Sequence, residues 1–334
     1  MPVLGAAILL AALCFIKPPG GSPADVPIHR SDFLLNTFVD IAIYDSRDES
    51  ILDGAMALCR EYENRFSRTL SGSEVYRLNH REDATGTYPL SDDMTDLLAT
   101  ALYYCERSGG AFDITTEPLS SLWNFSGTSP SVPPAEAIEE ARKKVDYKKL
   151  RLDGTRSTLT FLDPGTSIDL GAIAKGYIAD QLKAYLLDSA VESAMINLGG
   201  NVLCVGSRPD GTPFTVGLQK PFADRNETFA QVEVSDLSVV ASGVYERHFV
   251  EDGKNYHHIL DPSTGYPYDN GLISVTILSE RSVDGDALST TCFSLGLSRG
   301  MELVESMDGV YACFIDEDYQ IHYSDGMEKF LRKD

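Results

Sequence analysis

The length, composition and charge of this chain are those of a folded globular protein with a large negative charge. Its 334 residues include 43% hydrophobic and 23% charged residues, which excludes disorder or a coiled coil as the main state. Asp and Glu number 50 against 28 Lys and Arg, so the formal net charge is −22. Because nucleic-acid binding depends on Lys and Arg contacts with phosphates, we expect no nucleic-acid partner. A phosphate-bearing ligand would need a metal cation or oriented backbone donors.

Residues 1–27 resemble an export leader followed by a linker. Residues 3–16 form a run of 14 residues without a charge, and a segment rich in Pro and Gly follows. A bilayer span needs about 20 apolar residues, so the shorter run is typical of the core of a secretory signal. The leader would be cleaved near Ala24, or a lipid on Cys14 would tether the protein to the membrane. We therefore expect export to the periplasm or to the outer face of the cell membrane; the alternative is a cytosolic enzyme with an irregular amino terminus.

The remaining chain mixes strands and helices without a regular βα alternation. Apolar residues alternate with period 2 over residues 33–43, which predicts one half-buried strand. The later patterns predict, in chain order, helices over residues 51–66, 92–108 and 135–144, a hairpin over 150–162, a helix over 172–187, short strands to about 277, a helix over 286–295 and final strands. No internal segment resembles a domain boundary, so we expect an α+β fold with a single domain over residues 28–334.

The cysteines beyond the leader indicate core residues. They occur singly in apolar surroundings, and no pair has the C-x-x-C spacing: Cys59, Cys105, Cys204, Cys292 and Cys313. This pattern favours scattered buried thiols over a disulfide framework or a zinc site.

The most informative spacing separates Asp286 and Thr290 by four residues at the start of a predicted helix. Two side chains at that separation share one helix face, one turn apart. A carboxylate and a hydroxyl are ligands that a hard cation such as Mg²⁺ accepts, with phosphate and water completing its coordination. The alternative is an Asp in the first helical turn and a Thr that bonds its own helix.

A second segment, residues 167–177, predicts a strand that changes into a helix through Gly171. Free N–H groups at such a helix start can bind an anion. The segment lacks the P-loop spacing, and a simple strand–helix connection with an internally bonded Asp169 is the alternative. Residues 109–115 and 197–201 add two Gly-rich turns, each of which either approaches a ligand closely or only reverses the chain.

His258 stands three residues before Asp261, at a turn that contains Pro and Gly. A general base with a supporting carboxylate could be arranged in this way, because an imidazole that titrates near neutrality can take a proton from a hydroxyl. His257 would point to the opposite side of an extended strand, and its replacement should do little. The alternative is that His258 is an ordinary surface residue beside a turn.

Taken in this order, these segments resemble the ApbE family of FAD:protein FMN transferases. The resemblance extends from about residue 34 to about residue 314. The blocks that carry it are Asn36 to Val39 (NTFV), Phe66-Ser67, Gly110 to Thr115 (GAFDIT), Ile168 to Gly176 (IDLGAIAKG), Asn197 to Gly200 (NLGG), Ser242-Gly243-x-Tyr245-x-Arg247, His258 to Gly265 (HILDPSTG) and Asp286 to Thr290 (DALST). So many blocks in one order are far more specific than any one of them.

The resemblance also implies a set of functional residues. Asp286, Thr290 and the backbone carbonyl of Ala172 would hold Mg²⁺ against the diphosphate of FAD, and His258 would be the catalytic group. The implied flavin contacts are Leu35, Ala111, Phe112, Asp113, Asp169, Lys175 and Ile259. The family often has Met-Gly-Thr where this chain has Leu35-Asn36-Thr37, so the first of these contacts departs from the family pattern.

The reaction that the resemblance implies is a phosphoryl transfer. FMN would pass from FAD to a threonine hydroxyl of an acceptor flavoprotein, an extracytoplasmic or membrane redox subunit, and AMP would be released. His258 would take the hydroxyl proton, and Mg²⁺ would neutralise the charge that develops on the phosphate oxygens. Two alternatives would use the same residues: an FAD pyrophosphatase that forms FMN and AMP, and an exported flavin-binding protein without turnover.

Overall fold

Helices and strands are interspersed along the part of the chain that the computed structural model describes, which is residues 26–83, 85–125, 127, 129–224 and 226–333. The helices are α1 (Glu49–Phe66), α2 (Glu74–Asn79), α3 (Asp92–Arg107), α4 (Glu117–Trp123), α5 (Ala135–Arg142), α6 (Ala174–Asp188) and α7 (Ser282–Glu305). The strands are β1 (Ile28–Leu34), β2 (Thr37–Ile43), β3 (Gly86–Pro89), β4 (Leu150–Asp153), β5 (Thr158–Phe161), β6 (Ala194–Leu198), β7 (Asn201–Val205), β8 (Phe214–Gln219), β9 (Thr228–Val234), β10 (Ser238–Gly243), β11 (His248–Glu251), β12 (Lys254–His257), β13 (Leu272–Ser279), β14 (Tyr311–Asp316) and β15 (Ile321–Tyr323).

An antiparallel sheet of eight strands forms the centre of the fold, in the order β1-β2-β6-β7-β10-β13-β14-β15. Successive residues of each strand face opposite sides of the sheet. On β2, Ile41 and Ile43 enter the main core with α1, α6 and α7, whereas Ala42 packs into a second core beneath the β8–β9 hairpin. Because both faces are covered, β13 is buried along its whole length.

A hairpin replaces the single strand predicted over residues 33–43. β1 and β2 pair in antiparallel register along their whole lengths. The two residues between them, Leu35 and Asn36, both have a φ of 55°, as a two-residue hairpin turn requires. The prediction was wrong because a two-residue turn leaves the period-2 pattern uninterrupted. Asn tolerates this left-handed conformation better than most residues, which explains how the turn forms without glycine.

Two turns meet at one end of the central sheet. Val39 of β2 lies opposite Leu198 of β6, so the β1–β2 turn and the β6–β7 turn are neighbours. Gly199, with a φ of 66°, lies against Thr37, and a Cβ atom at this position would overlap the threonine side chain. Glycine is therefore required here both for its backbone conformation and for the close approach of the two turns.

The predicted α+β class and the single domain are confirmed, and the predicted helices at α1, α3, α5 and α6 and the β4–β5 hairpin are present. The last helix differs from its prediction. α7 begins at Ser282, four residues before Asp286, and continues past a kink at Gly296 (φ 78°, ψ 173°) to Glu305. Asp286 therefore lies in the second turn of the helix, and the alternative of a first-turn Asp is wrong for this residue.

The five cysteines of the described residues are buried and free, as the sequence predicted. Within the same residues, no helix is long and apolar enough to cross a bilayer. The predicted cleavage near Ala24 and the lipid on Cys14 lie outside the described residues. Export therefore stays a prediction, which the intact mass of the protein isolated from its host would test.

Candidate functional site

A large cleft of about 2530 Å³ opens beside the sheet end where the β1–β2 and β6–β7 turns meet. Every residue that the resemblance assigned to a site lines this cleft: Leu35, Ala111, Phe112, Asp113, Asp169, Ala172, Lys175, His258, Ile259, Asp286 and Thr290. These residues come from distant parts of the chain, so the fold brings together what the sequence separates. The contacts of each residue decide which role it can have.

Asp286 is almost fully buried, and its carboxylate is held by two donors from the start of α6. The backbone N–H of Gly176 donates to Oδ2 (2.9 Å), and the ammonium of Lys175 lies 3.2 Å from Oδ1. Lys175 also donates to the carbonyl oxygen of Gly171 at 3.3 Å. A buried carboxylate needs such a partner, because an unpaired charge in the interior is costly. The ammonium of Lys175 and the amide of Gly176 therefore hold the Asp286 side chain in place beside the cleft.

The predicted metal ligands provide three kinds of hard oxygen. The Gly176 amide donates to Asp286 and not to the carbonyl of Ala172, four residues before it, so this carbonyl lacks the usual helical donor. The Thr290 hydroxyl lies one turn beyond Asp286 on α7 and is 3.1 Å from the Ser242 hydroxyl. Carboxylate, hydroxyl and carbonyl oxygens suit Mg²⁺, so the residues present fit this ion.

A metal bound here would depend on its substrate for further ligands. Among the described residues, no group of three or more His, Cys, Asp or Glu side chains could hold a metal ion. Mg²⁺ commonly uses one or two carboxylates together with substrate phosphates and water. A site with Asp286 as its single carboxylate agrees with that pattern and argues against a metal cage built from protein side chains alone.

Asp169 is bonded within the chain, as the alternative interpretation predicted, but the predicted strand before it is wrong: residues 166–170 belong to no strand, and α6 begins at Ala174. Its Oδ1 accepts from the Gly171 amide (2.9 Å), and its Oδ2 lies 3.2 Å from Nε of Arg68. Both carboxylate oxygens therefore have partners within the chain. Asp169 lines the cleft as a member of an ion pair with Arg68, which also lines it.

The contacts of Asp113 and Phe112 are with other parts of the protein, which they hold in place. The Asp113 carboxylate accepts from the amide and hydroxyl of Thr115 (2.7 and 2.6 Å) and from the Tyr147 amide (2.9 Å). Burial raises the pKa of this carboxyl group, while the three donors oppose the shift. Phe112 is buried in the main core. At the neighbouring residue, the carbonyl oxygen of Ala111 accepts from the Tyr268 hydroxyl at 3.0 Å. We infer that this Gly-rich turn shapes the cleft wall chiefly through its backbone.

Leu35 is half-buried and lines the cleft. Its amide donates to Oε1 of Glu63 on α1 at 2.8 Å, which anchors the hairpin turn to that helix. The turn is thus held in place by a bond from its backbone to the Glu63 side chain. Leu35 itself contributes apolar surface to the cleft.

His258 lies directly after β12, half-buried in the cleft wall. Its backbone N–H donates to the carbonyl of Arg247 at 3.1 Å, and its ring nitrogen Nδ1 is buried without a partner among the described residues. Burial, followed by the nearby Arg247 guanidinium, lowers the pKa of this imidazole to about 3. The expectation that His258 titrates near neutrality is therefore wrong. The ring is neutral at pH 7 and has a lone pair that can accept a proton.

His257 points to the other side of the strand, as predicted. The expectation that its replacement does little is wrong, because its side chain is buried and bonded. Its Nε2 donates to the Tyr268 carbonyl (2.9 Å), its Nδ1 accepts from the Ile259 amide (3.3 Å), and its ring packs edge-on against Phe293. The side chain is 5% exposed. Replacing it removes buried contacts and hydrogen bonds, so a His257→Ala variant would lose stability and could lose activity indirectly.

The pKa of His257 leads to a prediction about acid stability. Burial lowers this pKa from 6.5 to about 4. Because the folded-state pKa lies below the unfolded value, the stabilisation is present above pH 6.5 and is lost as the pH falls toward 4. The lowered pKa corresponds to roughly 3 kcal/mol. Urea unfolding at pH 7 and at pH 4 measures the loss of stability in acid. We expect the wild type to lose roughly 3 kcal/mol more of its free energy of unfolding over this range than His257→Gln loses. Equal pH dependence in the two proteins would contradict the prediction.

Three further side chains belong to the cleft but had no role in the sequence analysis. Arg68 pairs with Asp169, Ser242 bonds Thr290, and Arg247 is exposed near His258. The last two residues lie in a block that supported the family resemblance, so a signal for them was present. Arg68 follows another block by one residue, and nothing in its spacing indicates a partner 101 positions later.

Known proteins of one family are similar to this chain along most of its length. Residues 35–315 match the model of the ApbE family. A protein of Klebsiella pneumoniae (strain 342) named FAD:protein FMN transferase is 37% identical over 293 residues, covering 87% of this chain and 90% of that protein. A protein of Treponema pallidum (strain Nichols) with the same name is 32% identical over 344 residues, covering 97% of this chain and 94% of that protein.

Solved structures give the same result for the fold. The crystal structure of the ApbE protein from Thermotoga maritima superposes with a TM-score of 0.83 at 32% identity and covers 92% of this chain and 100% of that chain. The flavin transferase ApbE from Vibrio cholerae has a TM-score of 0.81 at 27% identity, over 91% of this chain and 99% of that chain. Since family model, relatives and structures agree over nearly all of the described residues, the chain belongs to the ApbE family.

Proposed function

We propose that this chain catalyses the Mg²⁺-dependent transfer of FMN from FAD to a threonine hydroxyl of an acceptor flavoprotein, with release of AMP. The enzyme class, an FAD:protein FMN transferase, follows from relatives of that name at 37% and 32% identity over most of the chain. The metal and the threonine acceptor are the finer parts of the proposal.

The observation that carries the proposal is the arrangement around Asp286. Asp286, Thr290 and Ala172 line the cleft that also contains His258, and they can offer a carboxylate, a hydroxyl and a backbone carbonyl. These oxygens would hold Mg²⁺, which supplies charge neutralisation at a diphosphate and orients it for in-line attack. The cation would also explain how a protein with a net charge of −22 binds an anionic substrate.

His258 supplies the proton acceptor in this proposal. A threonine Oγ of the acceptor forms a bond to the FMN phosphorus as its proton passes to the neutral imidazole. The bond from that phosphorus to the bridging oxygen breaks, and AMP leaves with the electron pair. A diphosphate entering the cleft brings negative charge, which favours the protonated imidazole and raises its low pKa toward the range useful for a base. Arg247, exposed in the same cleft, adds positive charge beside the reacting group.

The test combines the protein with FAD, Mg²⁺ and a purified acceptor domain that bears the threonine. We expect flavin fluorescence on the acceptor after a denaturing gel, a mass gain equal to FMN minus water, and one AMP for each flavin attached. The acceptor with its threonine changed to alanine is the control and should remain unlabelled.

The same mixture separates the alternatives. FMN and AMP in solution without labelled acceptor would indicate an FAD pyrophosphatase. FAD bound but unchanged would indicate a flavin-binding protein. Labelling that persists after complete chelation of divalent metal would contradict the Mg²⁺ requirement.

A further inference from the structure

We infer that Asp180, a residue outside the cleft lining, is a positioning residue that sets Asp286 in place through a reciprocal cap between α6 and α7. The inference rests on the proposed metal role of Asp286. It concerns a residue that touches neither substrate nor metal, so its effect must pass through the two helices.

The start of α7 is capped by a side chain from α6. The N-cap residue of α7, Arg281, makes no side-chain cap hydrogen bond. Instead, Asp180 accepts from the amide of Ser282 at its Oδ1 (2.8 Å) and from the amide of Val283 at its Oδ2 (2.9 Å). The first amides of a helix have no partner within the helix, and a carboxylate there also interacts favourably with the helix dipole. Asp180 therefore holds the first turn of α7.

The start of α6 is capped in the opposite direction. Its N-cap residue, Ile173, also makes no side-chain cap hydrogen bond. Asp286 of α7 accepts from the Gly176 amide at 2.9 Å. The chain thus places Asp180 four residues after Gly176, and Asp286 four residues after Ser282. Each helix carries, one turn after its own capped end, the carboxylate that caps the other.

The two helix ends are in direct backbone contact. A Cβ atom on Gly176 would overlap the carbonyl oxygen of Ser282. Glycine at this position allows an approach that no other residue would allow, and the two caps can form only at this short separation. A shift of the α7 start would therefore move Asp286 relative to Gly176 and Lys175.

Loss of Asp180 should loosen the metal site without removing any of its ligands. The first turn of α7 would lose two charge-assisted hydrogen bonds and could move away from α6. Asp286, one turn further along, would then be held less firmly. Outer partners that orient a metal ligand typically change metal affinity by about 10- to 100-fold when they are removed.

The test measures Mn²⁺ binding by the loss of the free-ion electron paramagnetic resonance signal, with FAD present and no acceptor. We expect the apparent dissociation constant to rise about 10-fold or more in Asp180→Ala. Asp180→Asn keeps one acceptor oxygen and should show a smaller rise. A fall in melting temperature with unchanged Mn²⁺ affinity in both variants would overturn the inference.

Tyr104→Phe is the matched control. The Tyr104 hydroxyl is buried and bonds Oδ1 of Asp284 in the first turn of α7 at 2.9 Å. Its removal weakens the same helix start without touching either cap. We expect a lower melting temperature with Mn²⁺ affinity within about twofold of the wild type. Equal losses of affinity in Tyr104→Phe and Asp180→Ala would show general loosening and would overturn the specific role of Asp180.

Hydrogen exchange gives a readout that needs no metal. In Asp180→Ala, the Gly176 amide should exchange faster than in the wild type, because its acceptor Asp286 is less firmly placed. Unchanged exchange at Gly176 would overturn the inference. If wild type and Asp286→Ala bind Mn²⁺ equally, the proposed metal site fails, and the exchange measurement still decides whether Asp180 positions Asp286.

Discussion

Asp286→Ala should reduce FMN transfer by more than about 10³-fold, since a catalytic metal supplies several kcal/mol of charge stabilisation. The substitution removes the one full negative charge among the proposed ligands. FAD binding should weaken less, because the rest of the cleft is unchanged. The measurement is AMP release by protein that has been treated with chelator and restored with Mg²⁺. Unchanged turnover would contradict the metal assignment.

The Asp286→Asn variant distinguishes a role of Asp286 in binding the metal from its role in capping α6. Alanine leaves the Gly176 amide without its acceptor, and an unsatisfied buried donor costs about 1–3 kcal/mol of stability. Asparagine retains an acceptor for this amide at the same distance but carries no charge. We expect Asp286→Asn to recover much of the stability that Asp286→Ala loses while recovering little activity. Recovery of activity together with stability would mean that Asp286 serves only as a helix cap.

His258→Ala should lower the rate of FMN transfer by about 10²-fold or more, the usual contribution of a general base. The FAD dissociation constant should stay close to that of the wild type, because the proposed role of the imidazole concerns the acceptor hydroxyl. Single-turnover transfer and equilibrium FAD binding measure the two quantities separately.

The control for His258 is a different histidine from the one that the sequence suggested. His248 lies on β11 of the same hairpin, opposite His257, and is exposed. Its Nδ1 lies 3.1 Å from the Tyr245 carbonyl oxygen, and His248 does not line the cleft. His248→Ala should therefore leave transfer nearly unchanged. Equal losses in His248→Ala and His258→Ala, or a loss of FAD affinity alone in His258→Ala, would show that His258 is not the base.

Three carboxylates that line the cleft, those of Asp286, Asp169 and Asp113, have partners within the protein. Asp286 is paired with Lys175, and Asp169 is paired with Arg68. The Asp113 carboxylate is surrounded by N–H and O–H donors. These three carboxylates thus already have partners, which lowers the repulsion that an incoming diphosphate would meet from them.

Sequence patterns were sufficient to predict the α+β class, most of the helices found in the described residues and eleven of the residues that line the cleft. Helical spacing of apolar residues located α1, since a buried helix face repeats every three to four residues whatever it packs against, and the Gly109-Gly110 pair marked the end of α3. The ordered blocks of the resemblance selected residues that all line one cleft.

The contacts and the surroundings of those residues became known only from the folded structure. The hairpin turn at Leu35 was hidden because two turn residues preserve a period of 2. The pKa of His258 depends on its burial and on Arg247, neither of which can be derived from local sequence. Asp286 is bonded by Gly176 and Lys175, which lie about 110 positions earlier in the chain. Local spacing predicts which side chains share a helix face, but hydrogen bonds between helices and the degree of burial arise only when distant segments pack together.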